Sequence, residues 1–319
     1  MSQALVVRYD PKLIEEAVFH AQRDSRMARG LDQRRSRIYE VADPDEREQL
    51  FDDLYRSWFV RLGLGKVVDQ ALQEQPIISA HVGTCYVVRA TQAKEEGAEL
   101  FVAPDRGLDE TQRRTLRILI QPGSLLKQES AITFLRHELF HIADMLDPAF
   151  AYEPALPKTD GGPTYDTLIT NRYRVLWDVT ISGRMMQRGW ISESARDEQL
   201  RVFRYTFFMP EEKSRELFIR FFDGERPTHP ELATFAFDPR AAIGSPNSAS
   251  TPGTHCPLCR FPTHVFEPEP ENLENEVIAA INRDFPDWTS SLGLCAQCAD
   301  LYRANRLSMA AARQLPGWH

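Results

Sequence analysis

The chain reads as an α+β protein: a larger domain holding a small, mostly antiparallel sheet and many helices, followed by a small four-cysteine module. Three observations predict this. β-branched and apolar runs cluster between residues 77 and 120, and long segments with helical periodicity stand on both sides of them. Two Cys-x-x-Cys pairs lie beyond a stretch of small, polar, Pro- and Gly-containing residues. The boundaries expected are 1–240 for the larger domain, 241–254 for the linker and 255–319 for the module.

The first helix is expected over 11–29, because Asp10-Pro11 supplies an N-cap followed by proline at the first helical position. Asp43-Pro44 repeats that signal for 44–61, where Leu50, Leu54, Trp58 and Leu62 form the apolar side. Between these segments, Arg23, Arg26, Arg29, Arg34, Arg35 and Arg37 form a basic cluster interrupted by Asp24 and Asp32. No aromatic residues interleave it for base stacking, so it reads as a solvated helix face. Strands are expected within 77–91, 98–103 and 116–120, with Cys85 a buried structural thiol. After Pro148 a second long helix is expected from Thr167 to Arg188, closed by Gly189. The aromatic set Phe203, Tyr205, Phe207, Phe208, Phe218, Phe221 and Phe222 reads as core, split into two helices by Pro210.

The run from Gln128 to Asp147 carries the chemistry. Leu135, Leu139, Ile142 and Leu146 give it one apolar stripe, and Pro148 ends it. His137 and His141 stand four apart, which on a helix places them about 40° apart on one face, able to grip one metal ion. Zinc accepts neutral imidazole and keeps one open position in a catalytic site. Glu138 is not placed as a ligand beside them; it can reach a zinc-bound water and take its proton.

His137-Glu138-Leu139-Phe140-His141, with the strand and Pro122-Gly123 turn before it, resembles the zincin superfamily of zinc metallopeptidases. The resemblance implies a twisted sheet leading into the motif helix, a helical lower lobe, a catalytic zinc, and a protein or peptide substrate hydrolysed with Glu138 as general base. A third protein ligand is then required, and Asp178, Asp147, Asp144 and Glu153 compete for the place. The metzincin branch continues the motif as H-x-x-G-x-x-H/D, which puts Asp147 at the last position but finds Asp at 144 where that pattern has Gly. Asp144 lies within about 60° of His141 and is better placed to hydrogen-bond a ligand histidine. Asp178 sits mid-way along the next long helix, as the third ligand does in the gluzincin-like and Asp-using branches, although those more often carry Glu. Asp178 is the preferred ligand; a salt bridge to Arg174 or Arg184 is the alternative use of its carboxylate. Tyr165, Tyr173, Arg174, Arg184 and His229 are candidate donors to the oxyanion.

Cys256, Cys259, Cys295 and Cys298 form CxxC…CxxC with 35 residues between the pairs, the donor set of a closed, structural zinc site. His255 and His264 are surplus to it. The pattern resembles zinc-ribbon or treble-clef modules, and a zincin domain followed by such a module is similar in layout to the SprT-like proteases. The module carries eight Asp or Glu against five Arg from Gly253 onward, so a protein partner is favoured over nucleic acid.

Hydrophobic content of 42% and charged content of 26% fit a globular protein, and a net charge of −8 opposes bulk attraction to nucleic acid or anionic membranes. No apolar run is long enough to span a bilayer, and a cytoplasmic location is the expectation. The preferred activity is zinc-dependent peptide hydrolysis with one catalytic and one structural zinc. The alternative is a non-catalytic or single-partner regulatory zinc protein that uses the ribbon for protein or nucleic-acid binding.

Overall fold

The computed structural model describes residues 5–22, 28–104, 107–157, 162–207, 209–239 and 255–304 other than 262, 264 and 268. The linker expected at 241–254 lies outside the described residues. The chain divides into two units: Met1–Tyr152 with Ile181–Ala195, and Glu153–Thr180 with Arg196–His319.

The first unit is built on a four-stranded sheet of β1 (Val6–Tyr9), β2 (Thr84–Arg89), β3 (Gly97–Val102) and β4 (Arg114–Ile120), in the order β1-β2-β4-β3. β1 pairs with β2 and β2 with β4 in parallel, while only β3 and β4 run antiparallel. The expectation of a mostly antiparallel sheet is therefore wrong. Its source was the assumption that neighbouring apolar runs form hairpins, which holds for β3 and β4 alone. Parallel pairing needs long crossovers. Between β1 and β2 these are helices α1 (Pro11–Gln22), α2 (Ala28–Tyr39), α3 (Pro44–Leu62), α4 (Lys66–Gln73) and α5 (Pro76–His81). Ile77 and Ile78, read as the start of a strand, belong to α5, because Pro76 at its first turn has a φ suited to helix. β1 escaped notice because its apolar run is short.

Asp43 caps α3 as its sequence implies, accepting from the Asp45 and Glu46 N–H groups, and Gly63 closes that helix at φ 67°. β4 alternates, with Leu116, Ile118 and Ile120 fully buried. After α6 (Glu110–Arg113), which leads into β4, comes α7 (Gln128–Leu146), reached through the Pro122-Gly123 turn. Its stripe Leu135, Leu139, Ile142 and Leu146 joins Leu116, Ile118, Cys85 and Val87 in one core. Each leucine so buried contributes about 1.5–3 kcal/mol.

α8 (Gly162–Gln187) is one continuous helix whose last turns belong to the first unit and whose earlier turns belong to the second. Gly189 ends it in the left-handed region, with its N–H on Met186 and the Trp190 N–H on Met185. In the second unit, α9 (Glu193–Phe207, entering from the first unit), α10 (Glu211–Phe222) and α11 (His229–Phe237) bury the expected aromatics, with Phe203, Phe207, Phe218, Phe221 and Phe222 interlocked and Tyr205 exposed. Phe208 lies outside the described residues. The cysteine module has its own core of Leu258, Leu273, Val277, Ile281, Trp288, Leu294, Ala299 and Tyr302 around the sulfurs. It contains α12 (Asn275–Asp284) and a helix, α13, over 296–304.

The flank of α7 away from its apolar stripe is tied by charge. Asp144 is fully buried and receives both terminal nitrogens of Arg184 from α8, at 2.8 and 2.6 Å. Arg136 makes an equally two-pronged pair with Glu74, both bonds 2.7 Å, and lies 4.1 Å from the Trp190 ring centre. That hydrogen-bonded guanidinium holds the Glu74 carboxyl below its ordinary range, against the opposing effect of burial. A carboxyl depressed in the folded state stabilises above its unfolded pKa and loses that contribution as pH falls through the folded value. Glu74→Gln is thus expected to cost about 1–3 kcal/mol at pH 7. Chemical denaturation as a function of pH should show the difference from the parent shrinking below about pH 4; a gap that persisted at pH 3 would contradict the pairing.

Candidate metal centres

α7 fixes the first centre by its register. With Leu135, Leu139 and Ile142 in the core, His137, Glu138 and His141 fall on the half-buried side. The two imidazole centres are 5.0 Å apart and nearly perpendicular. Glu138 is steered by two contacts. Its Oε1 lies 3.2 Å from His137 Nδ1, and its Oε2 accepts the Ala98 N–H from edge strand β3 at 3.2 Å. Burial would raise the Glu138 carboxyl, but the His137 hydrogen bond, both imidazoles and the Ala98 N–H outweigh it and hold the pKa below the ordinary value. The group is ionised at neutral pH and able to accept a proton.

One ligand atom from each of His137, His141 and Asp178 lies within 4.8 Å of the others. Asp178 stands on α8 less than two turns before Arg184. Its carboxylate is a quarter exposed, and Arg174 Nε, one turn back, is 4.0 Å away. That contact is loose, and Arg174 is 80% exposed, so it contributes little.

Asp144 and Asp147 have other contacts. Asp144 accepts from Arg184 with both its oxygens. Asp147 accepts the Ala149 N–H and caps the short turn after α7. Glu153 is exposed, with its charge felt by His229. Among the candidate oxyanion donors, Arg184 is committed to Asp144. Tyr173 and His229 are both buried and share a 2.7 Å bond between the Tyr173 hydroxyl and His229 Nδ1. Tyr165 lies outside the residues whose side chains are described. What the sequence could not show was the Ala98 N–H on Glu138, since only the folded sheet places that edge strand against α7.

The second centre draws Cys256, Cys259, Cys295 and Cys298 together, with all four sulfurs within 4.8 Å of one another. Cys256 and Cys298 sulfurs are 3.9 Å apart, as are those of Cys259 and Cys295. A tetrahedral ion with bonds of about 2.3 Å to sulfur needs edges of about 3.8 Å, so the cluster could hold a metal with little movement. The Cys295 N–H points at Cys256 Sγ and the Cys298 N–H at Cys295 Sγ, at 3.3 and 3.4 Å. Burial pushes the Cys256 thiol up, but N–H groups of Cys259, Cys295 and Leu258 outweigh it and hold the pKa at about 7. Burial raises Cys295 and Cys298. Cys85 stands apart in β2, fully buried, its thiol pushed up by that burial to about 12, which makes it inert as a nucleophile.

No helix among the described residues is long and apolar enough to cross a membrane. The chain matches no protein-family model, no curated protein and no solved structure.

The sulfur geometry predicts one tightly held divalent metal equivalent in the module. Elemental analysis of the Cys256→Ser, Cys295→Ser double variant should show that equivalent lost, together with a lower melting temperature; metal content equal to the parent would contradict the cluster.

Proposed function

We propose that this protein is a zinc-dependent peptidase whose catalytic ion is held by His137, His141 and Asp178, with Glu138 as the general base. The observation that carries the proposal is the convergence of two helix-spaced imidazoles and one carboxylate beside a second, ionised carboxylate. Two nitrogens and one oxygen make the donor set of an open zinc site that leaves a fourth position for water or substrate. A spacing within 4.8 Å is compatible with the roughly 3.3 Å edge of such a site. Four thiolates make the opposite kind of site, closed and structural, so we assign a second zinc to Cys256, Cys259, Cys295 and Cys298.

Bound between the imidazoles, zinc would supply a Lewis acid that polarises a carbonyl and acidifies water. Everything else is done by the chain. Glu138, steered by His137 and the Ala98 N–H, takes the proton of the attacking water and returns it to the departing amine. Asp178 would balance part of the charge of the ion as its third protein ligand. The zincin resemblance of the motif agrees with this chemistry, and the substrate class it implies is a protein or peptide. The acidic balance of the cysteine module favours a protein partner there.

Glu138→Gln preserves the shape of the side chain and removes the base. It should retain both zinc ions by elemental analysis and slow hydrolysis of a protein substrate such as casein by about 10²- to 10⁴-fold. Full activity in Glu138→Gln would overturn the mechanism, and a zinc-loaded parent that cleaves nothing in a broad peptide library would overturn the activity.

A further inference from the structure

The first unit has a second concavity that the proposed peptidase chemistry does not use. It has a volume of about 770 Å³ and is lined by β1, the C-terminal end of α3 and the start of α4. Its wall is apolar and aromatic: Val7, Ile14 and Val60, with Tyr9 and Phe59 whose ring centres lie 5.0 Å apart. Its charged lining consists of three cations, Arg8, Arg56 and Lys66, and one carboxylate, Asp69. Three positive charges against one negative leave a local excess of two in a protein whose net charge is −8.

These cations are uncommitted. Several arginines elsewhere in this unit are paired, as Arg136 is with Glu74, Arg184 with Asp144 and Arg89 with Glu16. Arg8, Arg56 and Lys66 have no ion-pair partner among the described residues, even though Asp69 lies one turn from Lys66. Backbone shape adds to the case. The loop between α3 and α4 contains Gly63 and Gly65, and a Cβ at Gly65 would come within 3.0 Å of the Tyr9 hydroxyl and 3.1 Å of the Phe59 ring. Only glycine lets the loop close against both rings, with the Tyr9 hydroxyl donating to the Gly65 carbonyl. Gly65 also precedes the first turn of α4 without any side-chain cap, and Asp69 is the one acidic residue in that turn.

From this we infer that the cavity binds a phosphomonoester bearing a planar or apolar organic group. A dianionic phosphate matches the excess of two charges, and guanidinium groups present paired donors to phosphate oxygens. A volume of about 770 Å³ exceeds what a bare phosphate fills and lies in the range of organic-ligand pockets. Tyr9 and Phe59 supply the surface for the organic part.

Calorimetric titration of the full chain with phenyl phosphate, inorganic phosphate and phenol tests this. Phenyl phosphate should bind saturably and at least tenfold more tightly than either of the other two. Arg56→Gln and Lys66→Met should each weaken it tenfold or more, whereas Arg61→Gln, on the same helix but outside the cavity, should not. Arg8→Gln serves as a further variant if either of the first two fails to fold by circular dichroism. Absence of saturable phenyl phosphate binding by the parent would overturn the inference. So would binding no tighter than that of inorganic phosphate, or binding unchanged in the folded cavity variants.

Discussion

Helix α7 has one rotational setting, and the site depends on it. Its leucine stripe is sealed in the core, while Asp144 and Arg136 on another flank are gripped by Arg184 and Glu74 through paired hydrogen bonds. A helix held on two flanks cannot roll, so the remaining face always offers His137 and His141 together, with Glu138 turned toward strand β3. The Asp144–Arg184 pair is the more consequential tie. Asp144 is fully buried, and removing one partner of such a pair costs about 3–5 kcal/mol because the other charge is left without compensation. The same pair ties the last turns of α8 to α7.

The two centres solve opposite problems. The cysteines bring four sulfurs from a turn and from the start of α13 into a small core, where backbone N–H groups point at Cys256 and Cys295. A closed metal site there would supply folding energy. The histidine centre gains its order from a large core and is partly exposed.

Local patterns were legible in the sequence and long-range pairing was not. The α7 stripe, the Asp43 cap, the break at Pro210 and the two cysteine pairs all follow from spacings within a few residues, and each stands as read. The sheet does not. Whether β2 pairs with a neighbour or with a strand some eighty residues earlier is decided by the whole set of crossover helices, and Val6–Tyr9 is too brief to announce itself. Asp144 shows the same limit from another side. Its angle on the helix placed it near His141, but Arg184, forty positions later, is what its carboxylate faces. The place of Glu138 between the two histidines follows from the motif, whereas the Ala98 N–H that it accepts depends on the fold.

The central claim is that His137, His141 and Asp178 hold one zinc and the cysteines another. A crystal of the zinc-loaded chain, with diffraction recorded on either side of the zinc absorption edge, tests it most directly. Two anomalous peaks are expected, one about 2.0–2.2 Å from a nitrogen of each histidine and an Asp178 oxygen, the other about 2.3 Å from four sulfurs. A first peak ligated by Asp147 or Glu153 in place of Asp178, or no peak at all between His137 and His141, would contradict the account.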